Sequence, residues 1–481
     1  MTSFTDLGVP ARLNDVLSDL GIVEPTPIQL ATVPDALAGR DVLGRGRTGS
    51  GKTFAFLLPV VTRLAQGSRA RGGSPRALIL APTRELAAQI DAALAPLAAA
   101  TGLTSRTIFG GVGQKPQVDA IRRGVDILVA CPGRLEDLIA QGLCSLDAIE
   151  ITVLDEADHM ADLGFLPAVR RLLQRTPRNG QRLMFSATLD AAVDTLVKRF
   201  LQNPAVHEAD SARVPVAQMA HHVLQVERDQ RLPVLLDLTS APGRTVVFTR
   251  TKHGAKALTR QLNRGGVRAV ELHGNLAQNA RTRNLDDFHA GRASALIATD
   301  IAARGIHVDE VSLVVHADPP ADPKAYLHRS GRTARAGSAG TVVTLATTEQ
   351  RREVRALAKA AGISPTTTSV TSANDPILTT LAPGPRRLVD PAPPVEPAAA
   401  RSAGRAPGGG GGSAQRRRGG RRRGERPGTD GTGSAAGRTH TSARRTSGRT
   451  SNGEQSARRS RGTQQRTGSS HSPASFSAKK R

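Results

Sequence analysis

The run GRTGSGKT, Gly46 to Thr53, places two glycines, a lysine and a hydroxyl in the order G-x-x-x-x-G-K-[ST]. Glycines at that spacing let backbone N–H groups turn inward onto phosphate oxygens, and a helix opening at Lys52 adds its dipole. Thr48, Gly49, Ser50 and Gly51 line the cradle, Lys52 reaches the β- and γ-phosphates, and Thr53 offers its hydroxyl to Mg²⁺. A second cluster lies in ITVLDEADHM, where Asp155, Glu156 and Asp158 put three carboxylates into four positions after an apolar stretch. Like charges at the end of a buried strand raise one another's pKa unless a cation balances them. Opposite a phosphate loop, that cation is the Mg²⁺ carried by a nucleotide. Asp155 then holds the metal through water, Glu156 orients and deprotonates an attacking water, and Asp158 turns away to bridge other segments.

Such groups need a rigid frame. Strands are expected at 76–82, 104–110, 126–132, 151–155 and 181–187, with a helix over 83–100 and a short strand just before the phosphate loop. Runs apolar on both faces, joined by helical crossovers, mean a parallel sheet covered on each side. The rhythm restarts after SARVPVAQ (211–218), with strands at 244–249, 268–274, 294–300, 312–318 and 340–346 and helices at 252–266, 280–291 and 349–362. The expected organisation is a first α/β domain over 1–210, a linker over 211–218, a second α/β domain over 219–365, and a disordered basic tail over 366–481.

Charge follows that division. The chain of 481 residues carries 66 Lys and Arg against 41 Asp and Glu, a net charge of +25. From Pro385 onward, 22 basic and 5 acidic residues give +17, which leaves +8 for the rest. A polyanion is the partner this asymmetry favours, nucleic acid before anionic membrane. No apolar run reaches the ~18 residues of a membrane span, and the first residues do not read as a secretory signal. Cys131 and Cys144, the two cysteines, match no metal-ligand spacing and are expected as reduced thiols. Low aromatic content, with one Tyr, no Trp and ten Phe, favours backbone grip over base stacking.

Beside the phosphate loop and Asp155–Asp158 stand PTPIQ (25–29), PTREL (82–86), Gly110-Gly111, CPGR (131–134) and SAT (186–188). VVFTRT (246–251), HGNLAQNAR (273–281), ATDIAARG (298–305) and HRSGRTARAG (328–337) follow in order. This succession resembles the DEAD-box ATP-dependent RNA helicases of bacterial type, over roughly residues 4–362. The resemblance implies two tandem RecA-like domains. It implies that Gln29 reads adenine, that Phe4 upstream also belongs to the nucleotide-binding set, and that Gly305 belongs to the stretch meeting the ribose. Arg332 and Arg335, expected in a helix of the second domain, correspond to arginine fingers that complete the ATP site on closure. Ser186 and Thr188 would couple the acidic motif to closure. Thr83, Arg84, Gly111, Arg134, Gln278, Arg281 and Thr299 would hold RNA phosphates and sugars.

Five positions depart from the family pattern: Ile22 for an aromatic, Cys131 for Thr, His307 for Asp, Ser330 for Ile and Ala334 for Gly. The expected activity is RNA-stimulated hydrolysis of ATP that remodels or unwinds RNA, with ATP and Mg²⁺ as cofactors. An RNA chaperone acting through its basic tail is the alternative from the binding class, and a DNA translocase a third reading. Expected partners are RNA, held without sequence preference, and ribosomal or RNA-decay assemblies. The expected state is a cytoplasmic monomer without membrane association.

Overall fold

The computed structural model describes residues 2–46, 49–208, 219–303, 306, 310–334 and 339–389. In the first lobe two helices, α1 (Ala11–Asp19) and α2 (Pro27–Leu37), precede β1 (Val42–Arg45) and α3 (Lys52–Leu64). Next come β2 (Ala77–Leu80), α4 (Arg84–Thr101), β3 (Ser105–Ile108), α5 (Lys115–Arg123), β4 (Ile127–Ala130) and α6 (Pro132–Ala140). The lobe closes with β5 (Ile151–Leu154), α7 (Ala157–Asp162), α8 (Leu166–Arg175), β6 (Gln181–Ser186), α9 (Ala191–Phe200) and β7 (Ala205–Glu208). These strands form one parallel sheet of seven in the order β3-β4-β2-β5-β6-β1-β7.

The second lobe repeats the plan. It contains β8 (Met219–Val226), α10 (Arg231–Ser240), β9 (Arg244–Thr249), α11 (Lys252–Arg264), β10 (Ala269–Leu272) and α12 (Gln278–His289). There follow β11 (Ala295–Thr299), α13 (Asp300–Ala303), β12 (Val311–His316), α14 (Pro323–Ser330), β13 (Gly340–Ala346), α15 (Arg351–Ala360), β14 (Thr366–Val370) and α16 (Pro376–Leu381). A second parallel sheet of seven runs β10-β11-β9-β12-β13-β8-β14.

Both sheets are covered on both faces, as apolar strand runs require. Strands β2 and β4, ALIL and ILVA, are buried at every position. Alternate residues feed opposite cores: Ala77 and Ile79 pack with α2, α3 and α4, while Leu78 and Leu80 pack with α6 and α8. Helix starts are set by side chains that accept backbone N–H groups, such as Thr83 for α4, Asp190 for α9 and Asp322 for α14. The loops at the carboxyl edges of the sheets thereby receive fixed exits, which is where open α/β sheets bind ligands.

One expectation needs correction. Residues 366–389, read as the start of a structureless tail, carry β14 and α16, and Arg386 pairs with Asp237 at 2.6 Å. TTTSV has a strand's β-branched content but few apolar side chains, because it is an edge strand paired only with β8. The tail from residue 390, the linker 211–218, and Thr48, Gly305, His307 and Arg335 lie outside the described residues.

Candidate nucleotide and nucleic-acid site

The phosphate loop joins β1 to α3. Gly49 and Gly51 stand at φ 87° and 92°, left-handed backbone that favours glycine. At Gly51 a Cβ would also come within 2.5 Å of Thr26 Oγ1 and 2.7 Å of Gln29 Nε2. Gln29 is buried and spans two segments: its Oε1 accepts from Thr26 N at 2.9 Å, and its Nε2 donates to Gly51 O at 2.9 Å. One amide N–H and one lone pair remain for a base. Ser50 Oγ is buried and has no hydrogen-bond partner among the described residues. Lys52 Nζ donates to Gly46 O at 2.6 Å; burial pushes the amine's pKa down, against the pull of Asp155, Glu156 and Asp158. Thr53 is half-buried in the first turn of α3.

The carboxylates follow β5. Asp155 is buried, and burial pushes its carboxyl up to about 7; Lys52 opposes this and Glu156 adds to it. Burial first, and Glu156 beside it, therefore disfavour the charged form of Asp155 more than Lys52 favours it. Glu156 occupies left-handed backbone at φ 51°, a conformation that costs energy for a non-glycine residue and clusters at functional sites. Burial would raise its carboxyl, but the His159 hydrogen bond, with His159, Arg332 and Lys52 nearby, holds it down at about 2. His159 Nδ1 lies 3.0 Å from Glu156 Oε2, and its buried Nε2 has no partner among the described residues. Asp158 turns the other way. Its Oδ2 accepts from Thr188 N at 3.0 Å and Thr188 Oγ1 at 2.8 Å, while its own N–H donates to Ser186 Oγ.

Arg332 reaches this cluster from the second lobe, close enough for its charge to act on both Glu156 and Lys52. It lies in the turn after α14 rather than inside a helix, and its Nη1 donates to Ile306 O at 2.7 Å. Upstream in α14, Arg329 is held by a bidentate pair with Asp300 and by Asp318 O at 2.7 Å, over the ring of Phe248.

The seven residues expected to grip RNA gather on the carboxyl edges of the two sheets. Thr83 caps α4, Arg84 opens it, and Gly111 stands at φ 79° beside the Arg84 guanidinium. Arg134, in α6, keeps Nη1 buried without a partner among the described residues. Arg84 Nη1 donates across to Gln278 Oε1 at 3.0 Å. Glu85 Oε1 accepts from Gln278 Nε2 at 2.9 Å and Arg281 Nε at 2.8 Å. Thr299 ends β11.

Similarity to known proteins decides the family. Residues 26–196 match the family described as DEAD/DEAH box helicase, and residues 227–337 match the helicase conserved C-terminal domain. The ATP-dependent RNA helicase RhlB of Pseudomonas syringae pv. tomato is 38% identical over 369 residues, 75% of this chain and 93% of that protein. The chain belongs to the DEAD-box ATP-dependent RNA helicases. DEAD-box ATP-dependent RNA helicase 30 of Arabidopsis thaliana is 38% identical over 364 residues, and there the match spans 62% of the relative's length. Among solved structures, S. cerevisiae Dbp5 bound to RNA and ADP BeF3 is 30% identical with a TM-score of 0.69. That likeness covers 79% of this chain and all of the other, 100%.

For a DEAD-box chain, one expected site residue is misplaced. Phe4 is buried in the core that also holds Leu13 of α1 and Ile28 of α2, so its ring has no free face for adenine. Ile22 packs against the same core. Cys131 stands at the N-cap of α6 with no side-chain cap, Ser330 Oγ donates to Tyr326 O at 2.9 Å, and Ala334 adopts φ 53°. Both thiols are free, and burial pushes Cys131 up to about 12 and Cys144 to about 11. Sequence reasoning missed Glu85, His159, Asp300 and Lys324. For Glu85 the signal was available: a carboxylate beside Arg84, inside the PTREL motif.

Proposed function

We propose that this helicase binds ATP with Mg²⁺ at the loop Gly46–Thr53 and remodels RNA by closing its two lobes on a single strand. The residues present suit that group: a Ser50 hydroxyl with no partner among the described residues, a glycine cradle at Gly46 and Gly51 with no room for a Cβ, and a buried Asp155 whose carboxylate form burial disfavours. Thr48, Gly49, Ser50, Gly51 and Lys52 would hold the phosphates, Thr53 and Asp155 the Mg²⁺, Gln29 the base, and Gly305 the edge of the ribose pocket. ATP with Mg²⁺ supplies the phosphoanhydride bond and the cation that draws charge from its phosphates.

Glu156 orients the attacking water and takes its proton, with one carboxylate oxygen fixed by His159. Lys52 and Arg332, with Arg335 as the second finger, meet negative charge as it develops on the phosphates. Thr83, Arg84, Gly111 and Arg134 in one lobe and Gln278, Arg281 and Thr299 in the other hold phosphates and sugars, without sequence preference. Asp158, Ser186 and Thr188 tie the acidic motif to the lobe surface that meets its neighbour. What supports this reading most is the set of contacts joining the lobes, Arg84 to Gln278 and Glu85 to Gln278 and Arg281. With them goes Arg332, close enough to Glu156 and Lys52 for its charge to act on both.

The test is ATP hydrolysis and duplex unwinding by the full chain with and without single-stranded RNA. RNA stimulates the wild type, while Arg332→Ala binds ATP but loses roughly 10³-fold in turnover. Equal turnover in Arg332→Ala and wild type would refute the two-lobe site. No helix among the described residues is long and apolar enough to cross a membrane. We place the protein in the cytoplasm, as a monomer working on RNA; ribosomal or RNA-decay assemblies as its setting are tested by crosslinking in cells.

A further inference from the structure

Lys324 is the second residue of α14, just after the capping residue Asp322 and Pro323. A cation at a helix start opposes the macrodipole, so Lys324 does not serve its own helix. The carboxylates that meet its ammonium both belong to the other lobe. Lys324 Nζ lies 2.8 Å from Asp162 Oδ1 and 3.3 Å from Asp190 Oδ2.

Their positions give the contact its meaning. Asp162 ends α7, the short helix that begins immediately after Glu156. Asp190 follows the Ser186–Thr188 segment and caps α9, accepting from Ala192 N and Val193 N through Oδ1. That leaves Oδ2 to face Lys324. Asp158 already ties these two elements through Ser186 and Thr188. The two carboxylates therefore face one ammonium only when α7 and the Ser186–Thr188 segment are in register. Eight residues beyond Lys324, in the turn that follows α14, Arg332 comes near Glu156 and Lys52.

We infer that Lys324 is a closure latch: a positioning residue that pins the start of α14 to Asp162 and Asp190, so that Arg332 arrives in line. The inference rests on the proposed two-lobe mechanism and adds a residue outside its ATP and RNA contacts. The side chains are only partly shielded, at 32% exposure for Lys324, 20% for Asp162 and 37% for Asp190. Each pair is consequently modest, and salt weakens both. Burial would lower the Lys324 amine's pKa, but the Asp162 hydrogen bond and the neighbouring carboxylates raise it, so the latch stays charged across the neutral range.

The test uses the full chain with a fluorophore on each lobe, a non-hydrolysable ATP analogue and a ten-nucleotide single-stranded RNA. Lys324→Ala raises the RNA concentration for half-closure about three- to tenfold, as two partly exposed pairs imply. Lys324→Glu, which sets three carboxylates together, raises it further. Combining Lys324→Glu with Asp162→Lys rebuilds an opposite-charge pair and returns the half-point to within about threefold of wild type. Turnover at saturating RNA stays within about threefold for Lys324→Ala, while kcat/KM for RNA falls with the closure shift. Thermal midpoints without nucleotide match across the set, which separates a latch from a general fold defect. A Lys324→Ala variant that closes at the wild-type RNA concentration overturns the latch, as does a double variant no better than Lys324→Glu. If the wild type itself fails to close with RNA and the analogue, the two-lobe reading falls and the latch with it.

Discussion

Replacing Glu85 by Gln would remove one negative charge from a contact that spans the lobes while keeping its shape. Glu85 and Arg281 are both well shielded, with side chains 7% and 11% exposed and an Nε–Oε1 distance of 2.8 Å. Gln278 Nε2 donates to the same oxygen. Taking one partner from a buried pair strands the other charge and costs about 3–5 kcal/mol. The residual exposure argues for the lower end, roughly 3 kcal/mol, which is about 100-fold in an equilibrium constant. Because the pair joins two lobes, the loss should fall on closure and leave each lobe's own stability alone. Interlobe energy transfer, titrated with RNA in the presence of an ATP analogue, should show half-closure displaced by about two orders of magnitude. Acidity should act in the same direction. Burial would raise the Glu85 carboxyl, but Arg281 and Gln278 overcome it and hold it below its usual 4.5. Its contribution is therefore complete above about pH 4.5 and is lost as pH falls through the lowered value. Glu85→Gln should abolish that acid-sensitive part of closure. Wild-type half-closure in Glu85→Gln would refute the assignment of this pair to the closed state.

Three further outcomes are expected. Glu156→Gln should lower turnover by about 100-fold or more while the full chain still binds ATP and RNA, because an amide cannot take the water's proton; single-turnover hydrolysis reads this, and a wild-type rate removes Glu156 as base. Cys131→Thr should add the missing side-chain cap to α6 and stabilise the first lobe by about 1 kcal/mol, read as a higher denaturant midpoint. Ala334→Gly should relieve left-handed strain of roughly 1–2 kcal/mol, less the added freedom of glycine in the unfolded chain, leaving a gain below about 1 kcal/mol. A measurable loss of stability in Ala334→Gly would mean that the Ala334 methyl makes a compensating contact.

Legibility of the fold tracked burial on both faces. The edge strands β3 and β10 are legible though only partly buried, while strands β2, β4, β5 and β6, and β9, β11, β12 and β13 in the second lobe, stand out as apolar runs. Strand β8 did not, because His221 and His222 interrupt MAHHVLQV; His221 is accommodated inside by a 3.1 Å hydrogen bond with Tyr326 Oη. Edge strands β7 and β14 bury little and leave little pattern. The phosphate loop was readable because its geometry is written in eight consecutive residues, where glycine backbone freedom does the shaping. Phe4 is ambiguous for a physical reason: an aromatic near a binding motif looks the same in sequence whether it faces a ligand or, as here, the core. The partners of Glu85 and Lys324 lie 196 and 162 residues away, so only the folded chain shows those pairs.

What joins these long-range contacts is the kind of group used. The interlobe hydrogen bonds described above run through Glu85, Arg84, Gln278 and Arg281 at one place and through Lys324, Asp162 and Asp190 at another. The Arg332 charge is set near Glu156 and Lys52 between the same lobes. An apolar seam would hold the lobes shut without a ligand, since burying carbon surface needs no exact partner. Charged groups give back most of their attraction in lost hydration, so their net contribution sits near balance. Such a seam is stable only when other groups contribute as well. Arg84, Gln278 and Arg281 are also residues proposed to hold RNA, and Arg332 is proposed to meet the nucleotide. Closure then depends on both ligands being present, and departure of either returns these side chains to water. A clamp that must open after each turnover requires that balance, which a larger core could not supply.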